Sequence, residues 1–267
     1  MRPDHDFDDL IAEGAGVPVD ELNELCIDLD LTTLSAILPE LLRRAESESL
    51  SYTDFALTLL RTEVNARKNR RLERSLKRSR LGSVEGLEGF NFALRPQLDP
   101  RVVKELLNAR FAEERRNVLC LGKPGLGKTR VAKAIVHAAC LAGYSTLCVL
   151  TVDMLEDLHS SAADRSFARA LRRYVKPQVL LLDEFGHAGP FDADATHYLF
   201  RVISARHQQG AIVITANTGF SKWRSLFPSE ETAVATVDRL VDRATILRFT
   251  GKSLRDPLLI TGAPLDD

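Results

Sequence analysis

The run Gly122-Lys123-Pro124-Gly125-Leu126-Gly127-Lys128-Thr129 restricts the fold of this chain more than any other stretch. Its form is G-x-x-x-x-G-K-[ST], and its meaning depends on what stands on either side. Asn117–Leu121 is a short apolar segment that reads as a buried strand, and Thr129–Leu141 reads as a helix. Strand, glycine loop and helix in that order make a phosphate cradle. The glycines let successive backbone N–H groups turn inward, and the helix N-terminus adds positive potential. Lys128 is then expected to reach the β- and γ-phosphates of ATP, and the Thr129 hydroxyl to ligate Mg²⁺. A glycine turn that binds nothing would not need this flanking strand and helix.

Beyond the loop, apolar runs alternate with helical patterns. Ser145–Val152, Val179–Leu182, Ala211–Ala216 and Thr245–Phe249 read as strands. Between them lie a helix capped by Asp153, one over Phe167–Tyr174 stopped by Pro177, one over Ala193–Gln209 and one around Val234–Val241. A short helix over Val102–Arg110 precedes the first strand. The alternation predicts an α/β domain, a parallel sheet with helices on both faces.

Val179-Leu-Leu-Leu leads directly into Asp183-Glu184, at the carboxyl end of a strand, where open α/β sheets place their ligands. In phosphate-loop enzymes the first acid holds Mg²⁺, and a following Glu orients and activates the attacking water. Two acids also suit a helix start, but beside the loop the catalytic reading explains more. Asn217 ends another apolar strand, where its carboxamide can bond the γ-phosphate or the water; an Asn in a turn is the plainer reading. In Asp238–Arg243, Arg239 and Arg243 are expected one helical turn apart, away from Val237, Leu240 and Val241. An arginine there could reach a neighbouring subunit's γ-phosphate, or Arg239 could simply pair with Asp242.

Charge is distributed unevenly. The formal net charge is −1, yet residues 1–30 hold ten acidic groups and one basic, and residues 61–80 hold nine basic groups and two acidic. Residues 1–28 read as an acidic, mobile segment, 29–81 as a small all-helical domain for DNA binding or oligomerisation, 82–98 as a glycine-marked linker, and 99–267 as the ATPase domain. In the helical part Leu31, Leu34, Leu38, Leu41 and Leu42 follow helical spacing, and Pro39 predicts a helix start or a kink. Arg67, Lys68, Arg70, Arg71, Arg74, Lys77 and Arg78 then form a basic stretch, with Arg67, Arg71, Arg74 and Arg78 on one face. Too few acids are available to pair these cations within a solvated face, so the stripe is expected to follow a phosphate backbone, with double-stranded DNA as partner. No aromatics interleave, so base stacking is not expected.

No apolar run approaches the roughly 18 residues of a membrane helix, and the acidic first residues lack the apolar region of a signal peptide. Cysteines 26, 120, 140 and 148 show no C-x-x-C spacing. A reduced, cytoplasmic protein without a zinc site or membrane contact is expected.

These features together resemble the IstB-like ATP-binding proteins, transposition helper ATPases of the AAA+ class close to the DnaC helicase loaders. The resemblance covers residues 30–260. It rests on the basic helix and its Phe90/Phe92 sequel, Gly122–Thr129, Leu182-Asp-Glu-Phe-Gly186, Ile214-Thr-Ala-Asn217 with Trp223, and Asp238-Arg239-Leu240. It implies that Asn217 is sensor 1, Arg239 the arginine finger and Arg255 a sensor-2 arginine contacting nucleotide. It further implies a homo-oligomer joined at its ATP sites, which binds and deforms target DNA and recruits or stimulates a transposase or integrase. Four features depart from the family pattern: the acidic residues 1–28, Ala216 in place of Ser, the loop His187-Ala-Gly-Pro190, and an end too soon after Arg255 for a C-terminal helical lid.

Three other functions compete. A helicase loader would have a replicative helicase as partner. A small-molecule kinase would need an acceptor site and lid arginines, and the basic helix and Asn217 argue against it. A DNA-coating protein that barely hydrolyses ATP would have less use for Glu184.

Overall fold

The computed structural model describes residues 19–253 of the chain. They divide into two compact units, with the division between Arg71 and Leu72. Arg255 and residues 1–18 of the acidic segment lie outside the described residues.

The first unit is helical. It comprises α1 (Val19–Asp28), α2 (Thr32–Ser47) and most of α3 (Tyr52–Ser79). The expected acidic, mobile segment thus contains a helix over its last ten residues, Val19–Asp28. Leu34, Leu38 and Leu41 of α2 are buried at helical spacing and form its apolar seam. Pro39 lies inside α2, which runs on through it rather than starting there. Arg67, Lys68, Arg70 and Arg71 belong to this unit. The remaining basic positions, Arg74, Lys77 and Arg78, lie on the part of α3 beyond the division.

The second unit contains the nucleotide fold. After α4 (Pro100–Leu106) and α5 (Arg110–Glu113), β1 (Val118–Gly122) leads into α6 (Lys128–Leu141). Next come β2 (Thr146–Leu150), α7 (Thr151–Ala163), α8 (Phe167–Val175) and β3 (Val179–Phe185). The chain continues through α9 (Ala193–Arg206), β4 (Ala211–Ala216), α10 (Phe220–Trp223), α11 (Glu230–Val241) and β5 (Thr245–Phe249). All pairings are parallel, in the order β2-β3-β4-β1-β5. The expected α/β fold, a parallel sheet flanked by helices, is the one observed.

Alternation along the strands sends side chains to two separate cores. Val118, Cys120, Leu181, Val213 and Leu247 pack with Val131 and Ile135 of α6 on one face. Leu119, Leu121, Leu182, Ile212 and Ile214 pack with Met154, Leu199, Trp223 and Leu240 on the other. Burial on both faces explains why these strands read as unbroken apolar runs.

The expected linker over 82–98 is bound into this unit. Leu81, Phe90 and Leu98 are buried in the α6-side core. Arg130 of α6 donates to the carbonyls of Gly86 (2.7 Å) and Glu88 (2.8 Å) and lies over the Phe90 ring. The glycine-rich spelling of the segment reflects turns in a bound strap, not a free spacer. Asp153, expected as a cap, stands in the first turn of α7, whose N-cap is Leu150.

Among the described residues, no helix is long and apolar enough to cross a membrane. Cys120, Cys140 and Cys148 are buried and unbridged. Burial pushes the Cys120 and Cys148 thiols up to about 12.

Candidate active site

The phosphate loop follows β1 and ends in α6, as the spacing predicts. Gly122 closes β1 where a side chain cannot fit: a Cβ there would lie 2.2 Å from the Phe249 carbonyl oxygen on β5. Gly125 and Gly127 have φ of +74° and +88°, in the left-handed region that glycine occupies without steric cost. Gly127 is the N-cap of α6, so the helix begins at Lys128 with its N-terminal N–H groups facing the loop. The Lys128 ammonium is buried and donates to the Lys123 carbonyl across the loop, at 2.7 Å.

Behind the loop stands Arg95, a residue that no motif or spacing singles out. The residue is 1% exposed, and its guanidinium donates to the carbonyls of Leu126 in the loop (2.9 Å) and Lys252 after β5 (2.8 Å). Burial lowers its pKa from the ordinary arginine value. These bonds tie the loop to the segment that leads on toward Arg255.

The acidic pair sits on β3 at a register break. Leu182 pairs with Ile214 and Phe185 with Ala216, so Asp183 and Glu184 together oppose the single residue Thr215. This is a β-bulge, which bends the strand and re-aims a side chain. Glu184 takes a φ of +56° and is exposed between buried Asp183 and Phe185.

Thr215 holds the bulge together. Its hydroxyl accepts from the Glu184 N–H at 3.0 Å and donates to Asp183 Oδ1 in a short hydrogen bond. The same carboxylate oxygen accepts from the Thr129 hydroxyl, at 3.0 Å. The Thr151 hydroxyl donates to the Asp183 carbonyl at 2.9 Å. Because β4 lies between β1 and β3, a short β-branched hydroxyl on it can join the loop helix to the acidic pair. In the sequence Thr215 is legible only as part of a family motif; its hydroxyl among apolar strand residues is the available sign.

Asp183 and Thr129 offer one carboxylate and one hydroxyl, both oxygen donors, at the mouth of the cradle. Among the described residues no group of three or more His, Cys, Asp or Glu could hold a metal by itself. This donor set fits Mg²⁺, which takes one or two carboxylates and fills its remaining positions with phosphate and water.

Asn217 follows β4 directly, and its Nδ2 lies 3.0 Å from Nδ1 of His187. The expected sensor thus stands beside the turn that leaves Glu184.

Arg239 lies near the end of α11, whose last turn is clamped by Asn117. The Asn117 amide donates to the Leu240 carbonyl at 3.0 Å and accepts from the Ile212 N–H at 2.9 Å. The Arg239 guanidinium donates to the Ala235 carbonyl (2.7 Å) and stacks over Phe200, 5.0 Å from its centroid. Arg243 does not share its turn: α11 ends at Val241, and Arg243 has a φ of +53° beyond it. Asp242 bonds His207 at 2.9 Å rather than Arg239.

On α3 the basic residues fall into groups. Glu63 is buried and accepts from Arg67 and Arg70, each at 2.9 Å. Arg67 also donates to the Leu29 and Asp30 carbonyls at the end of α1, and Arg70 to the Thr33 hydroxyl. Lys68, Arg71, Arg74, Lys77 and Arg78 are exposed.

Known proteins resemble the chain over most of its length. The family model described as IstB-like ATP binding protein matches residues 25–257. The chain is 34% identical over 235 residues to an insertion sequence IS21 ATP-binding protein of Pseudomonas aeruginosa, covering 88% of each chain. It is 31% identical over 236 residues to an insertion sequence IS5376 ATP-binding protein of Geobacillus stearothermophilus, covering 88% of this chain and 94% of that one. Among solved structures, the DnaC helicase loader is similar at 17% identity and a TM-score of 0.49, over 56% of this chain and 87% of that chain.

Proposed function

The chain belongs to the family of IstB-like ATP-binding proteins, and from that premise we propose that it is the ATP-hydrolysing, DNA-binding helper of a transposition system. In this reading it is a cytoplasmic protein that assembles through its ATP sites on double-stranded DNA, deforms the duplex, and recruits or stimulates a partner transposase. The observation that carries the reading is the bulge on β3. It leaves Asp183 bonded to Thr129 of the phosphate loop and turns Glu184 outward at the same strand end.

Each side chain then has a task. The loop N–H groups and Lys128 hold the β- and γ-phosphates, with the ammonium exchanging the Lys123 carbonyl for a phosphate oxygen. Asp183 and Thr129 would hold Mg²⁺, which would supply positive charge against the phosphates. Glu184 accepts the proton of the attacking water, and Asn217 orients the water or the γ-phosphate. Arg239 reaches the site of a neighbouring copy by leaving its rest position over Phe200. Arg255 is proposed to contact the nucleotide from the same chain.

DNA contact is assigned to the basic stretch of α3: Arg67, Lys68, Arg70, Arg71, Arg74, Lys77 and Arg78. Each phosphate neutralised contributes roughly −0.9 to the slope of log K against log salt, so a single copy binds weakly. Assembly with ATP sets many such stretches along one duplex and multiplies the contacts. Sequence preference is slight, because phosphate contacts position without specifying.

The test is DNA binding at several salt concentrations, with and without ATP, followed by transposition with the element's own transposase. Tight, salt-steep binding that requires ATP supports the reading. Equal binding without nucleotide contradicts it, and stimulation of a replicative helicase instead of the transposase would reassign the partner.

A further inference from the structure

The turn that follows Glu184 brings a histidine to the sensor. Glu184, Phe185, Gly186 and His187 form a tight turn closed by the His187 N–H donating to the Glu184 carbonyl at 3.1 Å. Gly186, its third residue, has a φ of +68°, and a Cβ there would lie 2.5 Å from Leu226 Cδ1. The positive φ favours glycine, and any larger residue would press on the Leu226 side chain. The geometry fixes where residue 187 emerges, and the imidazole Nδ1 meets the Asn217 carboxamide at 3.0 Å.

We propose that His187 is a positioning residue for ATP hydrolysis, which sets through its Nδ1 which end of the Asn217 carboxamide faces the nucleotide. The inference rests on the reading of Asn217 as the sensor. A carboxamide has a donor end and an acceptor end, and a neutral imidazole nitrogen is either donor or acceptor according to its tautomer. When Nδ1 accepts from Nδ2, the Asn217 oxygen is left to accept from the attacking water. When Nδ1–H donates to that oxygen, the NH₂ is left to donate to the γ-phosphate. In both cases the amide is held against rotation. Because His187 and Glu184 belong to one turn, the sensor is referenced to the residue that activates the water. His187 touches no reacting atom and acts only through Asn217.

The assignment is testable because Asn has its polar δ atoms on Cγ, where His carries Nδ1, while the polar ε atoms of Gln correspond to Nε2. His187 is exposed, so its substitutions should not disturb folding. The His187→Ala variant is expected to lower kcat about five- to tenfold, the worth of one orienting hydrogen bond. KM for ATP should change by less than about twofold, since Asn217 acts on the γ end during hydrolysis. His187→Asn should recover most of the missing turnover, and His187→Gln should not. In an Asn217→Ala background, His187→Ala should add nothing, because the group it positions is gone.

The decisive comparison is steady-state ATP turnover of these single variants and the double variant. Recovery by Asn but not Gln, with no further loss in the double variant, supports the proposal. If Asn217→Ala impairs turnover while His187→Ala does not, the proposal is overturned and the sensor reading survives. If Asn217→Ala has no effect, the sensor reading fails and the proposal with it. Equal losses for Ala, Asn and Gln at 187 would also overturn it.

Discussion

Asp183 in the nucleotide unit and Glu63 in the helical unit are both buried carboxylates, 8% and 3% exposed, but their partners differ in kind. Asp183 is satisfied by the neutral hydroxyls of Thr129 and Thr215. Glu63 accepts, through Oε1 alone, from the guanidinium groups of Arg67 and Arg70. A carboxylate that accepts from hydroxyls can exchange those hydrogen bonds for an incoming cation. One held by two arginines has already been neutralised and serves to join helices. The partners, rather than the burial, separate a site from a brace.

The largest effect expected in the nucleotide unit comes from Arg239. Fingers supplied between subunits are worth roughly 10³–10⁵ in rate in other P-loop systems, so Arg239→Ala should nearly abolish turnover. Mixing it with Glu184→Gln should restore part of the activity, because some interfaces then pair an intact finger with an intact base. No recovery at any mixing ratio would place the finger in the same chain or assign it to Arg243.

Matched amide substitutions probe the two carboxylates side by side. Asp183→Asn keeps a hydrogen-bonding group beside Thr129 and Thr215 but removes the charge. Turnover should fall on the order of 10³-fold, a few kcal/mol of cation-dependent stabilisation. Glu63→Gln should leave the turnover of the folded protein within about twofold. Equal effects on ATP hydrolysis would erase the distinction between site and brace.

Stability should show the reverse pattern. Burial opposes the charge of Glu63, yet hydrogen bonds from Arg67 and Arg70 outweigh it and hold its carboxyl below the ordinary 4.5. A lowered folded pKa means that this stabilisation is fully present above the ordinary value and is lost as pH falls through the lower folded one. Glu63→Ala should destabilise the helical unit by about 1–3 kcal/mol, less than for a fully buried pair because both arginines can turn to water. Thermal melts near neutrality and in mild acid check both the size and the direction.

The smallest effect separates the two kinds of arginine on α3. Replacing exposed Arg71 and Arg78 with Ala should flatten the slope of log K against log salt by roughly 0.9 for each phosphate left without its cation. Arg67→Ala should act more on melting temperature, since Arg67 also bonds the end of α1. The opposite ranking would make Arg67 the stronger phosphate contact and Arg71 and Arg78 the weaker ones.

The same contrast shows what a sequence can reveal. Spacing within one segment is enough for the phosphate loop, the two acids at the end of β3, and the strands Ala211–Ala216 and Thr245–Phe249, because each signal is local and strongly periodic. Spacing does not mark Thr215, Arg95 and His187 as participants, since their roles depend on strand order, a β-bulge and a turn that bring distant residues together. Charge counting overestimates the free cations on α3 for a related reason. It registers Glu63 as one acid among many bases but cannot show that burial turns Arg67 and Arg70 toward it. Glycines in 82–98 suggest a linker because turn chemistry is visible in sequence, whereas the docking of Phe90 and Leu98 is not.

Everything proposed for the nucleotide site turns on the bulge of β3, which presents Glu184 to the water that attacks ATP held by Lys128. The most direct test measures nucleotide binding and phosphate release together in Glu184→Gln, with Lys128→Ala as the companion. Glu184→Gln should bind ATP as the parent does while releasing phosphate roughly 10²–10⁴-fold more slowly, the usual worth of a general base. Lys128→Ala should lose the nucleotide itself, because its ammonium acts in the bound ground state. Phosphate release by Glu184→Gln at the parent rate would remove Glu184 from the mechanism, whatever the DNA binding shows.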